Sequence, residues 1–318
     1  MFHFEDLKAK VGVLTQRSGD TDYLIKIGVW INLAQDFLYN VYDYYQALQD
    51  EHNFTTVASQ EDYVMPNRFN KPLRIYDLTN KSKLTIQTEE SYFDVNIDNI
   101  VTPNTGDPSF ARLYGETGVT TPISTSGDTV QVKSSSSSDT DNPIVRIEGF
   151  IDSARTVLDA EDVTISASSP TTFVAGTKTF YEIARVSKSK DTTGFITLAN
   201  SSSTTLATIA SIDSVLRHKI LKLGLIPDAA NSMRVLFKKK YRILVNAYDY
   251  PFIDADNFLI LEAFGYALAQ DREAETKAQV IWTKAKDALT SILTNENANL
   301  GPDFQHKMTH QLAQAHRS

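Results

Sequence analysis

Two stretches of helical periodicity stand near opposite ends of this chain, and this arrangement most constrains its fold. From Leu24 to Leu48 apolar residues recur at steps of three and four, which collects them on one helical face. Asp20 or Thr21 can serve as its N-cap, and a shorter helix is predicted over Phe4–Leu14. A second long helix is predicted from about Asn257 to Thr294. The two helical ends are therefore expected to pack together as one domain.

The middle of the chain is rich in Ser and Thr and has short alternating apolar pairs instead of helical periodicity. Of the 80 residues from Ser134 to Asp213, 28 are Ser or Thr. Short alternating apolar pairs recur there about every ten residues, with turn residues between them, which is typical of a β-sandwich. These pairs are Val130 and Val132, Val145 and Ile147, Val163 and Ile165, and Ile196 and Leu198. The sandwich is predicted to be inserted, because insertion costs little where the host's entry and exit points lie close together.

The expected fold class is therefore α+β. It comprises a helical bundle with long helices from both chain ends, small β elements and an inserted antiparallel β-sandwich. The predicted boundaries are 1–128 with 214–302 for the discontinuous helical host, 129–213 for the inserted sandwich, and 303–318 for a C-terminal tail.

The segment from Phe54 to Leu78 is predicted to be a structural hairpin. Phe54–Val57 is expected to be a strand and Tyr63–Met65 its return after a polar turn. Pro66 would end the pairing because proline has no N–H, and Pro72 would begin another strand that runs to Leu78.

Composition excludes several classes of protein. With 42% hydrophobic and 22% charged residues, the chain has the make-up of an ordinary folded protein. It contains no cysteine, which excludes disulfides, thiolate catalysis and cysteine-ligated metal centres. No uncharged apolar run reaches the length that a membrane span needs, and the N-terminus lacks a secretory-signal pattern. The net charge of −8 disfavours general adhesion to nucleic acid.

Motifs that would carry chemistry are weak or missing. His306 and His310 lie four apart, as two metal ligands on a helix would, but no third ligand is identifiable, so a solvated or partner-contacting tail is preferred. The oxygen-rich stretch Asp254–Asn257 lacks the pattern of a calcium loop, and helix capping is the expected role. Phosphate-binding and nucleophile-elbow motifs are absent from the sequence. We therefore expect no enzyme, no cofactor and no metal site.

Two other stretches are candidates for contacts. Lys238, Lys239, Lys240 and Arg242 form a basic run that either protects a strand edge or contacts an acidic neighbour or DNA. The aromatic stretch Phe37–Tyr45 has more side chains than one helical face can bury. Its outward tyrosines indicate an interface, where tyrosine is enriched.

In order along the chain, five segments resemble adaptor proteins of tailed bacteriophages, also called head-to-tail connector or neck proteins. The segments are WINLAQDFLYNV, FTTVASQEDYVMPNRFNKPLRIYDL, GDPSFARLY, LGLIPDAANSMRVLFKKKYRIL and IDADNFLILEAFGYALAQDREAE. VRIEGFIDSARTVLDAEDVTI and KDTTGFITLA between them are similar to the immunoglobulin-like insert of some short-tailed phage members.

This resemblance implies a structural virion protein at the head-tail junction, made in the host cytoplasm. It would form a ring of identical subunits, commonly twelve, beneath the portal, with tail or nozzle proteins below. Genomic DNA would pass through its centre without sequence-specific binding, and an acidic lining would keep the DNA from adhering.

Candidate contact residues follow from their positions in such a ring. The tail would contact the portal through His306, Lys307, Met308, His310 and Leu312. Tyr39, Tyr42 and Tyr44 would contact neighbouring subunits.

Two alternatives remain open at this stage. A Ser/Thr-rich sandwich could instead recognise a host receptor or glycan, although its aromatic residues fit a core better than a sugar site. A peptidoglycan or nucleic-acid hydrolase would need a carboxylate or metal constellation that the sequence does not display.

Overall fold

The computed structural model describes residues 1–41, 48–88, 104–270 and 275–297. The chain divides into two compact units. Residues 1–49 and 240–318 form the helical unit, and residues 50–239 form the β unit. The predicted Tyr42 and Tyr44 contacts and the whole tail lie outside the described residues. The predicted division into a host, an inserted domain and a tail stays a prediction.

Four helices are described in the helical unit. They are α1 (Phe4–Leu14), α2 (Thr21–Val41), α3 (Asp256–Ala269) and α4 (Glu275–Asn297). The bounds predicted for α1 are confirmed. Asp20 caps α2 as predicted, because its Oδ1 accepts from the backbone N–H of Tyr23 at 3.1 Å.

The core of the helical unit forms around one face of α2. Ile27, Ile31, Ala34 and Leu38 follow one another at steps of four, three and four and are fully buried. They belong to one apolar cluster with residues of α1 and α3, including Leu7, Val11, Phe258 and Leu259. Burial of this shared face joins the two ends of the chain in a single unit.

The predicted fold class is wrong. Among the described residues, those in strands outnumber those in helices, and the described helices do not form a bundle of long helices from both chain ends. The single long helix predicted near the C-terminus is two helices, α3 and α4, packed on each other. The rings of Tyr266 and Trp282 lie 5.7 Å apart, whereas a continuous helix would separate these residues by about 24 Å. Pairing of the two helices buries apolar surface that one straight helix would leave exposed.

Fifteen strands are described in the chain. They are β1 (Gln49–Thr55), β2 (Asp62–Val64), β3 (Phe69–Asp77), β4 (Ser82–Ile86), β5 (Phe110–Thr117), β6 (Asp128–Ser134), β7 (Ile144–Phe150), β8 (Leu158–Thr164), β9 (Val174–Phe180), β10 (Glu182–Lys188), β11 (Ile196–Asn200), β12 (Thr205–Ile209), β13 (Val215–Leu216), β14 (His218–Gly224) and β15 (Ser232–Lys239). Seven of them form one sheet in the order β1-β15-β3-β4-β5-β14-β2, in which β4 and β5 pair in parallel.

The hairpin predicted between Phe54 and Met65 is wrong. β1 lies beside β15 and β2 lies beside β14, at opposite edges of the seven-stranded sheet. β15 pairs with β1 and β14 pairs with β2, so neither β1 nor β2 pairs with the other as a local hairpin would require. Pro72 lies inside β3 instead of starting a strand, opposite Phe237 at a register shift. A bulge tolerates proline there because the ladder is already interrupted.

The remaining strands form two four-stranded sheets, in the orders β13-β10-β7-β8 and β12-β11-β6-β9. Apolar residues from both sheets share one buried cluster, which includes Val132, Ile147, Val186 and Leu198. The alternation read from the sequence accounts for these inward positions. Asp139, in the loop between β6 and β7, is buried and accepts from the backbone N–H groups of Thr193 and Gly194 at 2.6 and 3.1 Å.

A buried carboxyl group lies on α3. Glu262 is 6% exposed, and its Oε2 has no hydrogen-bond partner among the described residues. Burial raises the pKa of this carboxyl to about 7, against an opposing influence of Lys286. The folded state therefore binds more protons than the unfolded chain between pH 4.5 and about 7.

We predict that Glu262→Gln removes a pH dependence of stability. In the unfolded chain this carboxyl titrates near 4.5, so the folded state binds more protons between pH 4.5 and about 7. The free energy of unfolding of the parent protein should therefore fall across this window and level off above it, by about 2 kcal/mol between pH 5 and 8. The variant should lack this decline.

Urea unfolding followed by tryptophan fluorescence measures this change. Both tryptophans of the chain, Trp30 and Trp282, belong to the helical unit, so the signal reports on that unit. Glu275→Gln, at an exposed position in the first turn of α4, is the matched control and should keep the pH slope of the parent. Equal slopes for all three proteins would contradict the prediction.

Candidate interaction surface

The outer side of α2 carries an apolar patch, opposite the buried inner face. Ile25, Val29 and Leu33 are 64%, 54% and 46% exposed and lie four residues apart. Steps of four residues stay on one side of a helix, and these three point away from the buried face defined by Ile27 and Ile31. Since a helix that is apolar on opposite sides is normally covered on both, this outer side has the character of a contact surface.

The chain segment 241–250 runs beside α2 and enlarges this apolar area. The Asn32 side chain donates to the Leu244 carbonyl at 2.9 Å and accepts from the Leu244 N–H at 2.8 Å. Leu244 itself is buried, whereas its neighbours Ile243 and Val245 are 56% and 61% exposed. We call the exposed set Ile25, Val29, Leu33, Ile243 and Val245 the α2 surface.

Further hydrogen bonds fix segment 241–250 in place. The N–H groups of Phe4 and Glu5 donate to the carbonyls of Asp249 and Ala247 at 2.9 and 3.0 Å. The Tyr241 hydroxyl donates to Asp36 on α2 at 2.9 Å. Burial, the hydrogen bond and the charge of Asp36 together raise the pKa of Tyr241, so the hydroxyl stays protonated as a donor. Hydrogen bonds thus hold segment 241–250 against α1 and α2. Because the α2 surface is already ordered, less conformational entropy is lost when a partner binds to it.

Of the tyrosines predicted to contact other subunits, only Tyr39 lies in the described part of the chain. Its ring lies 4.6 Å from the ring of Tyr241 and 6.4 Å from that of Phe252, inside the helical unit. Its role at a subunit interface stays a prediction. Sequence reasoning missed Ile25, Val29 and Leu33, although their spacing of four was visible beside the stripe of Ile27 and Ile31.

The structure separates the predicted basic run. Lys238 is 2% exposed and Lys239 is partly buried, both at the end of β15. Lys240 and Arg242 are exposed and belong to the helical unit. The predicted portal-contact residues His306, Lys307, Met308, His310 and Leu312 lie outside the described residues.

The capping role expected of Asp254–Asn257 is wrong. The N-cap position of α3 is Ala255, and no side chain caps it. Asp256 instead accepts from the backbone N–H of Phe2 at 2.9 Å and so binds the start of the chain to α3.

Metal-ligating clusters and membrane-spanning helices are both missing from the described ranges of the chain. Within them, no group of three or more His, Asp or Glu side chains is placed to hold a metal ion. None of the described helices is long and apolar enough to cross a membrane.

Comparison with protein families bears on the first half of the chain. Residues 3–147 match the model of the SU10 adaptor protein family. The match begins in front of α1, includes α2 with Ile25, Val29 and Leu33, and ends within β7. This match supports the interpretation of the chain as a phage adaptor protein, in agreement with the resemblance described for its sequence. No curated protein matches the chain.

We predict that Asn32→Ala destabilises the helical unit by about 1–3 kcal/mol, because it leaves the buried Leu244 backbone groups without partners. Urea unfolding followed by tryptophan fluorescence measures the loss. Asn40→Ala on the same helix removes only an exposed bond to Asp36 and should change stability by less than about 0.5 kcal/mol. Similar losses for both variants would contradict a special role of Asn32.

Proposed function

We propose that this chain is a structural virion protein of a tailed bacteriophage, which forms an adaptor ring beneath the portal and joins the head to the tail. The observation that carries the proposal is the match of residues 3–147 to the SU10 adaptor protein family. The virion and the head-tail junction are then its place of action. Portal protein, tail or nozzle proteins and identical subunits are its partners.

The α2 surface supports self-association within this role. Complete burial of a fully exposed aliphatic side chain contributes about 1.5–3 kcal/mol, so Ile25, Val29 and Leu33, which are roughly half exposed, can together contribute about 2–5 kcal/mol. Association costs about 4–15 kcal/mol in lost freedom, so the α2 surface needs a second contact to hold a lone pair of subunits together. Closure of a ring supplies this support, because each subunit is held on two sides.

The acidic balance of the chain supports the passage of DNA. A net charge of −8 per chain, repeated around a ring, repels the phosphate backbone instead of retaining it. DNA would therefore pass through the central channel without stable or sequence-specific binding. The ring would thereby extend the exit channel of the portal, and we put it at twelve copies by the family resemblance. The tail residues 303–318 would contact the portal.

Assembly with the portal tests the proposal. Purified protein mixed with the portal oligomer of its phage should give a ring stacked on the portal in electron microscopy. Particles in which the portal carries no added ring, at concentrations well above micromolar, would contradict the proposed function.

We predict that the double variant Val29→Glu, Leu33→Glu abolishes this assembly, because two carboxylates would be buried without partners at the subunit contact. Mass photometry should show monomers where the parent forms rings on the portal. Gln279→Glu adds a carboxylate at an exposed position of a different helix, α4, and should assemble like the parent. Unchanged tryptophan fluorescence would show that the double variant is folded. Normal ring formation by that folded variant would exclude the α2 surface from the subunit contact.

A further inference from the structure

The helical unit contains an open cavity of about 590 Å³ where the loop between α1 and α2 meets the end of α3. One side of the cavity is apolar and is formed by Leu14, Phe264 and Leu268. Leu14 is 47% exposed, so apolar surface faces the opening. An apolar side chain of a ligand would displace water from this wall.

The other side of the cavity is cationic. The Arg17 guanidinium lies 4.8 Å from the centroid of the Tyr23 ring, and Lys26 lines the cavity from the next turn of α2. In the described part of the chain, neither cation forms a salt bridge with a carboxylate. A ligand carboxylate could therefore bind both cations without displacing an existing ion pair, and charge-assisted hydrogen bonds of this kind are the strong ones.

The loop that presents these cations is fixed by its own hydrogen bonds. α1 ends in a Schellman motif, in which Arg17 N–H donates to the Gly12 carbonyl at 2.8 Å and Gln16 N–H donates to that of Val13 at 3.0 Å. Gln16 takes the left-handed conformation that this motif requires, with φ of 58°. Asp20 then caps α2 at once, so the turn is held at both ends. The cavity is preorganised for a ligand.

The chemistry of the walls selects a segment that is both acidic and apolar. Residues 89–101, EESYFDVNIDNIV, carry four carboxylates, no Lys or Arg, and the aromatic pair Tyr92 and Phe93. The tail 303–318 has the opposite character, because Lys307 and Arg317 outnumber its single acidic residue, Asp303. Charge complementarity therefore favours residues 89–101 over the tail.

We propose that the cavity beside Arg17 and Lys26 binds residues 89–101 of a neighbouring copy of the chain. This inference rests on the proposed ring, and it names the segment that joins one subunit to the next. A cavity on one subunit filled by a different segment of another is a heterologous contact, the type that generates rings. Ile25 of the α2 surface and Lys26 of the cavity are consecutive residues of α2. A segment bound in the cavity would supply the second contact that the α2 surface needs.

Peptide binding tests the cavity by itself. A fluorescein-labelled peptide of residues 89–101 is titrated with the full chain. In that chain the carboxylates of residues 89–101 are replaced by amides, so that its own segment does not compete with the peptide. The substitutions are Glu89→Gln, Glu90→Gln, Asp94→Asn and Asp98→Asn. Fluorescence anisotropy should show binding that weakens at least tenfold when Arg17→Glu and Lys26→Glu are added. Lys277→Glu with Lys284→Glu makes the same change in net charge at exposed positions of α4 and should leave binding unchanged.

Mixing of the two variant chains tests whether the contact joins two copies. The cavity variant retains an intact segment, and the segment variant retains an intact cavity. Each alone should fail to form rings, whereas an equimolar mixture should give a one-to-one heterodimer by mass photometry, because only one productive junction remains. The control mixture, in which both chains also carry Lys277→Glu and Lys284→Glu on α4, should still give the heterodimer.

Two results would overturn the inference. The first is peptide affinity that is equal with and without the cavity substitutions. The second is a mixture that stays monomeric although each variant is folded, which would place the contact within one chain. Neither result would remove the adaptor role, because ring formation on the portal by the parent protein is scored separately. Conversely, failure of the parent to form that ring, together with cavity-dependent peptide binding, would count against the proposed function alone.

Discussion

Burial of α2 is the constraint on which the helical unit depends. Its inner face, with Ile27, Ile31 and Leu38, is covered by residues from both ends of the chain, and this face brings α1 and α3 together. The same helix is apolar on its outer side, where Val29 and Leu33 remain exposed. In a lone helical unit the inner apolar face of α2 is therefore buried, whereas its outer apolar patch is available for a second molecule.

The elements that depend on local signals could be read from the sequence. The bounds of α1 and the Asp20 cap follow from periodicity and capping chemistry within a few residues. The inward positions of the two four-stranded sheets, such as Val132 and Ile147, follow from simple alternation. In each of these elements, the residues that decide the structure lie next to one another in the chain.

The features that depend on distant partners could not be read in this way. β1 and β2 look like a hairpin locally, but β15 and β14 occupy their pairing edges from more than 150 residues away. The single helix predicted to run to Thr294 is two helices, α3 and α4, that pack on each other. The apolar periodicity of the sequence does not show that one helix ends and the next turns back onto it. Lys238 has the sequence context of a surface charge, yet its position at the end of β15 buries it.

The candidate site consists of the apolar α2 surface and the cationic side of the cavity. Ile25, Val29 and Leu33 provide apolar area, which contributes affinity and little selectivity. Arg17 and Lys26 provide charge, which selects the partner and fixes its register. The first pattern was present in the sequence as a spacing of four, whereas the cavity could not be foreseen because α3 reaches it from about 240 residues further along the chain.

The accessibility of position 29 in the assembled particle tests the central claim most directly. The chain contains no cysteine, so Val29→Cys introduces a single thiol of nearly the same volume into the α2 surface. Its rate of reaction with a maleimide is measured for the free chain and for the chain assembled on its portal, with Asn80→Cys in the β unit as an exposed reference. We expect at least a tenfold slower reaction at position 29 on assembly and little change at position 80. Equal rates at position 29 in the free and assembled chains would contradict the account.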